Sequence, residues 1–272
     1  MPKQIQMQFL TTAIGTLYLF GGVALAEPAD WIQYESGDVP IILVTGHGGD
    51  KTPKEWRVRT NPGVLNAKDS YTWPLSKQLW ERMKTDHGLS PYWVLNTVHR
   101  KYADVNRAPG EKAYESPEGR AVYEAFHEAL ERAVEDSVER FEFAFIVDIH
   151  GQSKQPADVY LGTGRRKSMD DLLRRFGEDV LMGRHSLQEE LVARGYSSPR
   201  NIRPPGPYEI PGSVSGGYIT RHYGSRVLVD AVQIEVHGRR RKDETLLPIV
   251  AKDLSDALAQ FHKVYLAEAV SP

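Results

Sequence analysis

The sequence predicts an α/β fold, with a mostly parallel or mixed central sheet and helices on both faces. Three observations predict it. Apolar runs at 40–46, 92–98, 143–149 and 227–236 read as strands. Stretches between them carry apolar residues at helical spacing. The two kinds alternate along the chain, as the crossovers of a parallel sheet require.

The elements follow in order. Residues 40–46 form a first strand that runs into Gly46-His47-Gly48-Gly49-Asp50. Residues 51–68 are polar and contain Pro53, Pro62 and Gly63, so they read as a loop. From 69 to 85, Leu75, Leu79 and Met83 mark a helix, with Asp69 or Ser70 as its N-cap. A strand at 92–98 follows. Val122, Phe126, Leu130 and Val134 form one stripe of a long helix over 118–139. The strand at 143–149 ends in Asp148-Ile149-His150, with a turn expected at Gly151. Val159-Tyr160-Leu161 is a short strand, and 170–194 is helical with a break near Gly183. Residues 197–217 hold five prolines and four glycines and read as a long surface loop. A strand at 227–236 and a helix at 248–268 close the chain.

Composition narrows the function. A chain of 272 residues allows one large domain or two small ones. Its net charge of -2 gives no electrostatic argument for nucleic acid. The absence of cysteine excludes disulfides, thiolate nucleophiles and thiolate metal ligands, so a zinc site must use His, Asp or Glu. Lys3, the uncharged stretch 9–26 and Ala24-Leu25-Ala26 have the form of a signal peptide cleaved after Ala26. The expected mature chain is one domain over 27–272, periplasmic or secreted. It has no stable membrane association after cleavage.

Three strand ends carry the chemistry. Ligands in open α/β sheets bind beyond the carboxyl ends of the strands. Two such ends deliver His47 and His150, expected to ligate a metal. A site of two histidines and one carboxylate leaves a position open for catalysis. Asp50, three residues after His47, and Asp69, at the head of the next helix, are equal candidates for the third ligand. The ordinary roles for those positions are a turn residue and an N-cap. Glu235, inside the apolar run of the last strand, is costly to bury unless it is paired or functional; it is the expected general base. Asn106 and Arg107, with Arg100 and Arg221, are candidates to bind a substrate carboxylate. Asp148 is placed to orient a ligand from behind. The run Arg239-Arg240-Arg241-Lys242 reads as a solvated basic loop.

These residues resemble the N-formylglutamate amidohydrolase family, which is related to the zinc carboxypeptidases. The resemblance rests on an ordered set over about residues 40–240. It comprises His47-Gly48-Gly49 with Pro53, Asp69, Asp104-Val105-Asn106-Arg107, Asp148-Ile149-His150, the segment from Gly216-Gly217 to Gly224, and Gln233-Ile234-Glu235. It implies a phosphorylase/hydrolase-like sheet and a zinc-dependent hydrolase. His47 and His150 would hold zinc, Glu235 would be the catalytic glutamate, and Asn106 and Arg107 would grip a terminal carboxylate. Arg221 would hold a second acidic group. The chain departs from the carboxypeptidase His-x-x-Glu pattern at Asp50, and it carries an export segment. The expected activity is cleavage of an N-formyl or N-acyl amino acid, or of a short peptide with a free carboxylate. The alternatives are a metallocarboxypeptidase or cell-wall peptide hydrolase and, in another class, a metal-free carboxylate-binding protein.

Overall fold

The computed structural model describes residues 31–199 and 210–267. The signal-peptide expectation, and much of the loop expected at 197–217, lie outside them. Six strands form one mixed sheet in the order β1-β3-β2-β4-β6-β5. These are β1 (Ile32–Glu35), β2 (Ile41–Thr45), β3 (Tyr92–Asn96), β4 (Ala144–Gln152), β5 (Val159–Gly162) and β6 (Val229–His237). The central strands β3, β2, β4 and β6 run parallel, and antiparallel β1 and β5 close the two edges. The central strands are nearly continuous apolar runs because both of their faces are covered.

Side chains alternate across the sheet, so each strand feeds two cores. Phe145, Val147, Ile149, Val232 and Ile234 pack on one face beneath α1 (Thr72–His87) and α8 (Leu247–Phe261). Ala144, Ile146, Val229 and Ala231 pack on the other, beneath α2 (Pro117–Phe141) and α6 (Tyr218–Tyr223). The alternate positions Asp148, His150, Gln233 and Glu235 continue that second face beyond its apolar part. They emerge as a polar array at the C-terminal ends of β4 and β6.

Several elements differ from expectation, each for a local reason. Helix α1 starts at Thr72, and its N-cap is Tyr71 in the left-handed region, with no side-chain cap. Asp69 does not cap it because its carboxylate is engaged elsewhere, as described below. Strand β4 continues through Gly151 to Gln152 rather than turning at Gly151, because its partner β6 extends to His237 and pairs with it throughout. The helical stretch after residue 170 is three short helices: α3 (Asp170–Phe176), α4 (Asp179–Met182) and α5 (Leu187–Ala193). Gly177 and Gly183 stand at their breaks. The basic run is not a loop but the helical turn α7 (Gly238–Arg241). Helix α8 passes into a π-helical turn at His262–Leu266. No helix among the described residues is long and apolar enough to cross a membrane.

Phe145 is fully buried at the centre of the sheet and stacks on Phe261 of α8, ring centroids 5.0 Å apart. Phe145→Ala removes that ring and leaves a cavity. The expected cost is roughly 3–5 kcal/mol of unfolding free energy, measured by denaturant titration.

Candidate metal centre and catalytic site

The site lies where β2, β4 and β6 end. His47 follows β2 through a close turn. A Cβ on Gly48 would lie 2.6 Å from the Thr72 hydroxyl oxygen and 2.8 Å from the Trp73 nitrogen, so only glycine lets this turn approach α1. His150 stands opposite, near the end of β4. The two imidazoles meet edge to face, centroids 4.7 Å apart, and both side chains are almost fully buried.

Asp69 completes the group. Its Oδ2 lies 3.0 Å from His150 Nδ1 and 3.6 Å from His47 Nδ1, and it accepts a hydrogen bond from the Gly151 amide at 3.2 Å. Ligand atoms from His47, Asp69 and His150 all fall within 4.8 Å of one another, so these three residues can hold a metal ion together. Asp50 does not join them. Its carboxylate is largely exposed and pairs with Lys68, because residue 50 follows a chain already turning away toward Thr97 and Val98.

Both histidines are held from behind. His47 Nε2 lies 2.6 Å from Asp104 Oδ1, and His150 Nε2 lies 3.0 Å from Asp148 Oδ1. The first is a short hydrogen bond; the second is a close ion pair, with Asp148 Oδ1 making no aligned hydrogen bond. Each ring therefore turns its Nδ1 toward the shared centre. A carboxylate behind a ligating histidine fixes its tautomer and raises its basicity. His47 Nδ1 is buried with no hydrogen-bond partner, and an orphaned lone pair aimed at a cluster of donors suits a bound cation.

The electrostatics agree. Burial opposes the charge on Asp69, but the hydrogen bond from His150 and the nearby His47 imidazole outweigh it and hold the carboxyl far below the usual range. Asp104 is likewise held far down by His47 and Arg100 against its burial. Burial disfavours a charged His150, yet Asp148, Asp69 and Glu235 around it raise its pKa well above the ordinary value. Carboxylates thus surround the two imidazoles, a donor set that suits a bound cation.

Glu235 pairs in register with His150 on the neighbouring strand, so the two side chains share one face of the sheet. It is 7% exposed, and burial pushes its carboxyl up to about 7, helped by Asp69 and Asp148 and opposed by His150. Gln233 donates to Glu235 Oε1 at 2.8 Å and accepts from the Gly217 amide at 2.7 Å.

Asn106 ties the opposite wall to the centre. Its Nδ2 lies 3.0 Å from His150 Nε2, and its Oδ1 accepts from the Ile219 amide at 2.7 Å. A Cβ on Gly217 would collide with the Asn106 amide, which explains a glycine at that place. Arg107 and Arg221 line the cavity with their guanidiniums accessible. Arg100 also borders it, but Nε and Nη2 are both spent on Asp104 Oδ2, at 3.0 and 2.7 Å. Two residues at the candidate site are not singled out by the sequence pattern. Asp104, fully buried, was seen only as part of the Asp-x-Asn-Arg element. Arg241, 2% exposed, lies in a basic run in which Arg239 and Arg240 pair with Asp158.

The cavity over this centre holds about 750 Å³. It is bordered by the metal-ligand candidates, by Glu235 and by Arg107 and Arg221.

Comparison with known proteins adds to this geometry. Residues 119–240 match the model of the N-formylglutamate amidohydrolase family. The chain resembles that family. The matched stretch contains His150, Arg221 and Glu235; the fold brings His47, Asp69 and Asn106 to them from outside it. No curated protein matches the chain. The structure of an N-formylglutamate amidohydrolase from Ralstonia eutropha JMP134 is similar at 20% identity and a TM-score of 0.58, over 88% of this chain and 99% of that one. A gene product of Agrobacterium tumefaciens is similar at 15% identity and a TM-score of 0.59, over 86% and 95%. These likenesses are of fold.

Asp104→Asn removes the charge that orients His47. It is expected to lower affinity for a divalent transition metal by roughly 10–100-fold, read by competition against a chelator. Unchanged affinity would mean that Asp104 serves the fold alone.

Proposed function

We propose that this protein is a zinc-dependent amidohydrolase acting on an N-acyl amino acid or short peptide with a free carboxylate. The observation that carries the proposal is the convergence of His47, Asp69 and His150 on one point beside a buried glutamate. The donor set fits zinc: two imidazole nitrogens and one carboxylate oxygen, with a second carboxylate behind each ring. A zinc ion held there supplies Lewis acidity toward a carbonyl oxygen and makes water more acidic.

The chain's own residues do the rest. Glu235, with its pKa near 7, accepts the proton of the attacking water and delivers it to the leaving nitrogen. Gln233 holds one of its oxygens, so the other is left to face the reacting atoms. Arg107 and Arg221 take the substrate carboxylate and fix the register of the amide over the centre. Arg100 keeps Asp104 charged and in place rather than binding substrate directly.

A peptide substrate is the second reading. The cavity volume supports it, since a formyl amino acid leaves much of about 750 Å³ unfilled. The metal-free alternative loses support, because the two histidines stand within reach of a common ion.

Glu235→Gln is expected to lower turnover of the wild-type substrate by roughly 10²–10⁴-fold while zinc stays bound. The screen reads release of free amine from N-formylglutamate, longer N-acyl amino acids and short peptides. The wild-type kcat/KM should rise with pH through about 7, because only ionised Glu235 accepts a proton. Below that limb it should fall about tenfold per pH unit. Turnover by Glu235→Gln at the wild-type rate would refute the assignment of the base.

A further inference from the structure

Arg241 is a buried cation, 2% exposed, with no direct ion-pair partner among the described residues. Its Nε donates to the Val236 carbonyl at 3.1 Å, and its Nη1 donates to the Ser70 carbonyl. Nη2 makes no hydrogen bond among the described residues. The guanidinium lies against Gly151, where any Cβ would collide with it. Burying a guanidinium this way is costly unless its charge and donors are used.

Its position decides the use. Ser70 follows Asp69, and Gly151 follows His150, so the guanidinium borders both ligand candidates and also the cavity. Burial lowers its pKa, and the carboxylates of Asp69 and Glu235 lie near enough to oppose that shift in part. It enters from the side of α1 and α8, as the residue that ends α7 just before α8. Asn106, Arg107 and Arg221 enter from the side of α2 and α6. Cationic groups therefore stand on both sides of the reaction centre. Exposed Lys154 and Lys242 border the cavity as well.

We propose that Arg241 binds an anionic group on the acyl half of the substrate, so that the preferred amide carries a carboxylate on each side of the scissile bond. This rests on the amidohydrolase reading above and deepens it. Arg107 and Arg221 take the carboxylate of the amino-acid half. Arg241 offers its unused Nη2 to a carboxylate on the acyl half, which a formyl group lacks.

Binding can be measured without turnover. Zinc-loaded Glu235→Gln protein is titrated calorimetrically with N-glutaryl-glutamate and N-pentanoyl-glutamate, which match in acyl length and differ by one carboxylate. The glutaryl compound is expected to bind about tenfold tighter or better, as a charge-assisted contact provides. In Glu235→Gln/Arg241→Gln that gain should vanish while pentanoyl binding holds. Arg241→Lys, which keeps the charge and is gentler on the fold, should retain part of the gain. Equal binding of the two compounds to Glu235→Gln protein would overturn the role of Arg241 and leave the amidohydrolase reading standing. A glutaryl gain untouched in both Arg241 variants would overturn it in the same way. Binding of neither compound would overturn both.

Discussion

A histidine can be buried at a strand end only if something holds the nitrogen that faces away from the ligand. Here that constraint is met by Asp104, fully buried and 2.6 Å from His47 Nε2. The carboxylate is in turn fixed by two hydrogen bonds from Arg100 and one from the Asn106 amide, with the Arg59 guanidinium 3.9 Å away. Arg59 spends its other donors on the Arg100, Lys112 and Leu65 carbonyls, pinning the loops around residues 65, 100 and 112. One buried ion cluster thus aims a ring and shapes a wall of the cavity. Its worth lies less in stability than in geometry, since buried charge pairs gain little net energy yet are expensive to break.

The sheet supplies the second half of the arrangement. Parallel pairing of β4 with β6 sets His150 beside Glu235 and Asp148 beside Gln233. A one-residue slip of either strand would send its own two polar side chains into the apolar face with Ile149 and Ile234. The apolar partners of that face enforce the register, so the core specifies which side chains meet at the site. Burial then raises the pKa of Glu235 toward neutrality. The packing that places the base also tunes it.

The strands and the residues they deliver were legible because period and apolarity are local signals. His47, His150 and Glu235 each close or interrupt an apolar run. The choice between Asp50 and Asp69 was not legible. Both sit in loops, and only the path of the chain after Gly49 sends one to the surface and the other to His150. Asp69 even carried a misleading signal, since an aspartate before a helix ordinarily caps it. Edge strand β1 has one buried and one exposed face over only four residues, too short for a periodic signal. Helix α6 hides in a glycine-rich segment whose Gly216 takes φ +116 and whose Gly217 packs on Asn106. Arg241 looked like its neighbours Arg239 and Arg240, and nothing in a basic run distinguishes the member that turns inward.

The most direct test of the account is the zinc content of purified protein by elemental analysis, comparing wild type with Asp69→Ala and Asp50→Ala. About one zinc per chain is expected in wild type and in Asp50→Ala, as a single three-ligand site requires, and little in Asp69→Ala. Full zinc in Asp69→Ala with loss in Asp50→Ala, or no zinc in wild type after reconstitution, would contradict it.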